Sequence, residues 1–585
     1  MSQKNTTPAA SPPVTSEVAN KPGLFSKDIW AVMPAVFLAA CGGGGGGGGG
    51  AGGGISDTSP SPSSTPNSSP ATPTLTSEQA SRFLGQAAWG ANPSTLKAVT
   101  DQGLSSWLAQ QMAMSLTQSM TSWLIEKGYT DATVSGNING DGGWTGAIWN
   151  KLFTAPDAFR QRAVLALSEL FVVSALGLPI SWKNFAIANY WEILEKNVFG
   201  NFRNLLEAVT LSSAMGSYLN MKGNQKANAA TGRAPDENYA REVMQLFTIG
   251  LYKLNSDGSL QLNAQGQPIE TYDNNDIQGL ARVFTGWDLA EGSDPSGVLA
   301  PLAYRHGLPM VLNASLHSPE EKSFLGTVIP AGTLGAESLR IALDTLFMHA
   351  NTAPFIAKQL IQRLVTSNPS PAYIERVAKA FINNGIGVRG DMKAVWTAVL
   401  MDAEALSASS SATFGKLREP MVRLIQWGRT FGATNADGLW ALGYTSSETT
   451  LNQMPLFAPS VFNYFRPGYA PPNTALLQAQ LVAPELQITA EPSVVGYVNY
   501  MAGTVNNARV VKVNYTTEKV LAATPSALVD HLNLYLAAGS ISAANLALMT
   551  QAITTIAATT DAGLLNRVYA AIVLVMSSND YLVQH

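Results

Sequence analysis

The densest polar constellation in the chain is Pro235-Asp236-Glu237-Asn238-Tyr239-Ala240-Arg241-Glu242. On a helix, Glu237 faces Arg241 and Asn238 faces Glu242, each at i,i+4. Two carboxylates flanking a guanidinium can hold a cation or perform general acid–base work, and the same pattern serves equally as a structural ion-pair network. Just upstream, Asn220, Asn224, Lys226 and Asn228 form a polar loop leading into this helix. Carboxamides and an ammonium suit a sugar or polar-polymer site; they also make an ordinary solvated loop. His317 lies near Glu320, Glu321 and Lys322, and a side chain titrating near neutrality is the natural general base. Trp287, after a Thr-Gly turn, can stack on a sugar ring or anchor a core. The catalytic candidates are therefore Glu237, Arg241, Glu242, His317 and Lys322. The binding candidates are Asn224, Lys226, Asn238 and Trp287. His349, before Asn351-Thr352-Ala353-Pro354, reads as the end of a helix.

Other chemistries lack their residues. One cysteine rules out an intramolecular disulfide and a Cys-based zinc site. The five histidines (His306, His317, His349, His531, His585) are scattered with no His-Glu-x-x-His pair, so spacing supplies no metal set and no cofactor is indicated. Asn137-Ile138-Asn139-Gly140-Asp141-Gly142 begins like a calcium loop, but position twelve is Ile148 instead of a bidentate Glu. There is no Gly-x-Ser-x-Gly elbow, and the glycine run lacks the Lys-Ser/Thr of a phosphate loop. Arg389-Gly390-Asp391 reads as a turn followed by a helix cap. Formal net charge is -4 and charged residues are 13% of the chain, about half the usual share of roughly 25%. No basic stripe exists for a phosphate backbone, so no nucleic-acid partner is expected.

The elements that must position these groups are helical. From Thr76 onward, apolar residues recur at helical spacing, with Thr76 or Ser77 capping the first helix. Helices are expected over Phe159 to Val173, Asn201 to Leu219, Asp236 to Ile249 and Asp276 to Phe284. More follow over Ser338 to Phe347, Ala353 to Val365, Pro371 to Asn383 and Asp391 to Met401. A turn signal at Asn255-Ser256-Asp257-Gly258 predicts a β-hairpin within Leu251 to Tyr272. Gly286 to Pro330 reads as a long irregular loop, and a second break spans Ser407 to Phe414. Beyond it, helices are expected near Pro420 to Thr430 and Pro525 to Ala538, then a closing pair ending near Met576. No fixed-period repeat argues for a solenoid. The fold class is mainly α: one large multi-helical domain with a small β-hairpin insertion and long irregular loops. Its main part is 76–405, with the hairpin and loop insertion near 251–330, and its C-terminal part is 406–585.

The N-terminus reads as an address. Lys21 and Lys27 precede an apolar stretch, Ile29 to Ala40, too short for the roughly 20 residues a bilayer needs but suited to a signal peptide. It ends Leu38-Ala39-Ala40-Cys41, similar to a bacterial lipobox, where the Cys thiol takes a diacylglycerol. Residues 1–41 would be the signal and lipidated Cys41. The Gly-rich and Ser/Thr/Pro-rich run 42–75 would be a tether, since neither composition buries a core. Gly42 after the cysteine, by resemblance to Gram-negative lipoproteins, implies the outer membrane. The expected partners are the lipid bilayer, through that N-terminal lipid, and an envelope protein.

Several blocks carry a family resemblance: Arg82-Phe83-Leu84 with Trp89-Gly90, Arg160-Gln161-Arg162 with Leu167-Ser168-Glu169, Gly223-Asn224-Gln225-Lys226, and Glu237-Asn238-Tyr239-Ala240-Arg241-Glu242. Phe284-Thr285-Gly286-Trp287, His317 with Lys322, Phe355 to Leu360, and Pro459-Ser460-Val461-Phe462-Asn463 continue it. Together they resemble the bacterial domain-of-unknown-function 1800 family from about Ala80 to His585. That resemblance implies an exported protein and, through genes often adjacent to alkaline-phosphatase-like proteins, envelope or polymer metabolism. It implies no settled activity. Two functions compete: a helical binding or scaffold protein of the envelope, and an envelope hydrolase or polymer-processing enzyme with the carboxylate, Arg and His candidates around one pocket. The missing nucleophile and metal set favour binding.

Overall fold

Thr76 decides where the first helix begins. Its Oγ1 accepts from the Gln79 amide at 3.2 Å while the Gln79 side chain accepts from the Thr76 amide at 2.9 Å, so Ser77–Ala87 starts on a capping box. The computed structural model describes residues 75–407 and 413–585. Cys41, the signal-like segment, nearly all of the 42–75 tether and most of the Ser407 to Phe414 break lie outside the described residues.

The Phe159 to Val173 expectation is realised as Ala158–Ser168, in which every residue from Phe159 to Ser168 is buried. A helix buried on all sides is the axis of a core. Leu104–Ala113, Gly142–Thr154, Lys183–Asn197 and Thr352–Leu364 pack around it. The span read as one helix from Asn201 to Leu219 is two, Phe202–Thr210 and Ser213–Tyr218, because Ser212 caps a new start. Asp236 to Ile249 contracts to Asn238–Gln245, whose Ala240, Val243 and Met244 are fully buried, as is Phe247 just beyond.

Strands are few, and each named sheet among the described residues is an antiparallel pair. Trp287–Asp288 pairs with Val311–Leu312, and Lys322–Phe324 with Thr327–Ile329, so the expected loop from Gly286 to Pro330 is substantially ordered. A short helix, Pro301–His306, adds to it. The Lys322–Phe324 strand crosses the Asn274–Val283 helix at Gly279, where a Cβ would stand 1.7 Å from the Ser323 carbonyl oxygen. Only glycine permits that approach.

The expected hairpin within Leu251 to Tyr272 forms about the turn at 255–258, with Leu254 bridged antiparallel to Leu260, and a second turn extends it to three segments. The Lys253 amide donates to the Ile269 carbonyl, Ile269 to Gln261, and Gln261 back to Lys253, at 2.7, 3.0 and 2.8 Å. The cause is a second copy of the first turn: Leu254-Asn255-Ser256-Asp257-Gly258 recurs as Leu262-Asn263-Ala264-Gln265-Gly266, with both glycines at positive φ.

In the C-terminal part, Pro420–Thr430 is buried at every residue except Arg429. Glu491–Val505, Pro525–Ala537, Ala543–Thr554 and Asp561–Ser577 form a helical layer beside it. The chain end returns to pair Val583–Gln584 with Lys416–Leu417. One set of buried apolar side chains runs from Ala80 to Tyr581. The protein is mainly α, as composition and periodicity predict.

Candidate functional site

The loop residues of the sequence-predicted site meet through their backbones. The Gly223 amide donates to the Trp287 carbonyl at 2.8 Å, Gly286 to Asn224 at 2.8 Å, and Lys226 to Leu316 at 2.9 Å. Asn224 is buried; its Oδ1 accepts from the Asp236 amide at 2.9 Å and its Nδ2 donates to the Asp236 carbonyl at 3.2 Å. Asn224 therefore ties the loop to the start of the Asn238–Gln245 helix. Gly286, at φ 86°, lets the chain pass beneath His317: a Cβ there would be 2.7 Å from the Asn313 carbonyl oxygen and 2.9 Å from the His317 nitrogen.

His317 is buried, with Nδ1 2.9 Å from the Thr285 carbonyl oxygen and Nε2 without a hydrogen-bond partner. Nδ1–H donation to that carbonyl leaves Nε2 as a bare acceptor, the form a base requires. Burial pushes its pKa down, the Thr285 bond opposes, and the charge of Lys322 pushes the same way as burial. Lys322 is itself buried, donates to the Glu320 carbonyl at 3.2 Å, and is lowered by burial and by Arg282.

The helix carries two different situations. Glu237 and Arg241 pair at 3.1 Å but remain 37% and 40% exposed, an ordinary surface ion pair. Glu242, one residue on, is buried, and its Oε2 has no partner. Burial raises its pKa against the pull of Arg241. Tyr218 and Tyr272 stand near enough that its charge helps burial push both phenols up to about 12. Asn238 is half-buried, its amide bonded to Asp236 Oδ1 at 2.8 Å. Trp287 is buried with Nε1 unpartnered, and Lys226 is half-buried. His349 ends the Gly335–Met348 helix, its Nδ1 accepting from the Asn351 amide at 3.1 Å. None of these residues lines any of three cavities elsewhere in the fold.

Those cavities are in the C-terminal half or beside it. One, of about 610 Å³, lies between the Glu491–Val505, Ala543–Thr554 and Asp561–Ser577 helices. Leu451, Tyr497, Met549, Val573 and Leu574 are its buried walls, and half-exposed Val494 and Leu548 extend the apolar surface outward. Arg423 is the buried charge on its lining, while Asn545, Asn579 and Asp580 supply polar groups. A volume within roughly 300–1,000 Å³, apolar walls and a few polar groups are the attributes of a small-molecule site. The sequence reading did not reach it. Its signal was slight: one arginine within the otherwise apolar Met421-Val422-Arg423-Leu424-Ile425.

A buried ionic network joins the two halves. Arg363 pairs with Glu169 at 3.0 Å, and Lys416 pairs with Glu485 at 3.1 Å and Glu419 at 3.6 Å, all nearly inaccessible. Burial raises Glu169, and the charge of Glu419 raises it further. Burial alone would raise Glu419 too, but the charges of Lys416, Arg162 and Arg363 hold it down at about 2. A cavity of about 10 Å³, the size of one water, adjoins Glu169 and Asn463. Among the described residues no group of three or more His, Cys, Asp or Glu side chains is arranged to hold a metal ion. No helix there is long and apolar enough to cross a membrane.

The family model described as protein of unknown function (DUF1800) matches residues 82–583, and the chain belongs to that family. No curated protein and no solved structure matches it.

Proposed function

We propose that this chain is a binding protein whose C-terminal helical layer holds a small, largely apolar ligand, and that Cys41 tethers it by a lipid at the cell envelope, in the outer membrane. The observation that carries the binding reading is the cavity of about 610 Å³, walled by Leu451, Met549, Val573 and Leu574 and open past Val494 and Leu548. Apolar surface left in contact with water is costly, at roughly 25 cal/mol per Å², and an apolar ligand recovers that cost. The lipid anchor rests on Leu38-Ala39-Ala40-Cys41 and the glycine tether, and a membrane surface is a source of apolar chains. Titration of the full chain with an uncharged fluorescent acyl ester tests the cavity. Saturable binding that Leu548→Trp abolishes, with unchanged circular dichroism, is the expected result; absence of saturable binding refutes the reading.

A second reading, an envelope hydrolase or polymer-processing enzyme, draws on His317 Nε2 and Glu242 Oε2, two buried acceptors without partners. Neither atom lines the cavity of about 610 Å³, and that cavity is the observation that favours binding.

A further inference from the structure

Building on the cavity reading, we infer that the ligand is an amphiphile with an oxyanion head, carboxylate or phosphate, held by Arg423. This arginine is 5% exposed and lies on the cavity lining. Its guanidinium sits 4.2 Å over the Tyr497 ring, and Tyr497 is fixed in turn by donating its hydroxyl to the Met576 carbonyl at 3.1 Å. Arg423 Nε donates to the Arg418 carbonyl at 2.7 Å. The guanidinium also reaches the Tyr497 hydroxyl oxygen as a hydrogen-bond donor, and its terminal nitrogens make no bond to a carboxylate or carbonyl among the described residues.

Charge bookkeeping around the cavity points the same way. Arg418, the neighbour of Arg423, is also buried, stacks on Tyr581 at 4.9 Å and has no carboxylate partner among the described residues. Asp580, the acidic residue on the lining, makes no ion pair with Arg423: its Oδ2 accepts from the Ser542 amide and from Asn545 Nδ2, each at 2.9 Å, which holds it at the start of the Ala543–Thr554 helix. Several other buried cations are met directly, although Arg162, away from this cavity, also leaves Nε and Nη1 without a partner. Lys151, Arg363 and Lys416 all meet glutamates, and Arg429 spends Nε and Nη2 on the carbonyls of Leu152 and Ala155. An unpaired buried charge is costly, and a guanidinium's planar fork matches a carboxylate or phosphate through two parallel bonds. The ligand's anion would complete Arg423 while its chain occupies the surface of Met549, Val573 and Leu574.

The test uses the full chain and three fluorescent probes with one acyl length: a carboxylate, an alkyl phosphate and the uncharged methyl ester. Either anion, or both, is expected to bind at least about tenfold tighter than the ester, the scale of a charge-assisted hydrogen bond. The stronger of the two identifies the head group. Arg423→Met is expected to abolish that preference, and Arg423→Lys to retain part of it. The wild-type comparison stands even if a variant misfolds. Equal affinity of ester and anions in the wild type overturns the inference and leaves the cavity reading intact, whereas failure of all three probes to bind removes both.

Discussion

Arg363 donates through Nη1 to the Glu169 carboxylate at 3.0 Å, across 194 residues of chain, with both side chains 5% exposed. Removing one partner leaves the other charge in a low-dielectric interior, a loss of about 3–5 kcal/mol. Arg363→Met is accordingly expected to destabilise the fold by that amount in urea unfolding. Arg241→Gln breaks an ion pair of similar length that is open to solvent, and should cost less than about 1 kcal/mol. Equal effects of the two substitutions would mean that burial does not set the value of these pairs.

Glu242 should reveal itself through pH. Burial raises its folded-state pKa above the ordinary value of 4.5. Below 4.5 the carboxyl is protonated in both states, and wild type and Glu242→Gln should share one pH dependence. As pH climbs above 4.5 the unfolded chain ionises first, so wild type loses stability relative to Glu242→Gln until the folded pKa is passed. Urea midpoints measured at pH 4.5 and pH 8 check the sign. A wild type that gains on the variant as pH rises contradicts the buried, partnerless placement.

Gly286→Ala places a methyl against the Asn313 carbonyl and the His317 backbone, at a φ of 86° that only glycine adopts without strain. Neither neighbour is a flexible side-chain end. We expect a loss of at least about 1 kcal/mol, with faster amide exchange concentrated at residues 313–318. Unchanged exchange there would show that the crossing relaxes easily.

Much of the helical framework was legible because capping and periodicity are local. Thr76 and Asp391 cap where their side chains predict, whereas the helix expected from Asp276 starts earlier, at Asn274, on an Asp273 cap. The Asn255 turn was legible too, but its echo at Asn263 went unread, so three segments look like two. The loop cluster was half legible. Asn224, Trp287 and His317 do converge, yet their hydrogen bonds are mostly backbone bonds that residue type does not encode. The cavity was the least legible, since its walls are ordinary Leu, Val and Met from four distant segments. Glu491–Val505, one of its helices, was unexpected: Gly496 and adjacent β-branched residues weaken its signal, and Gly496 is needed where a Cβ would meet the Glu448 carbonyl oxygen at 2.2 Å.

The anchor has its own test. Cys41→Ser should shift the protein from the membrane fraction to the soluble fraction and abolish incorporation of labelled lipid in the native host. Membrane association unchanged by the substitution removes the lipid from the account.

Amide hydrogen exchange of the full chain, with and without a saturating acyl probe, tests the central claim most directly. Binding in the cavity predicts protection confined to the Glu491–Val505, Ala543–Thr554 and Asp561–Ser577 helices and the Leu451 and Leu486 segments that line it. Protection centred on Asn224, Trp287 and His317, or no protection at a saturating concentration, would contradict it.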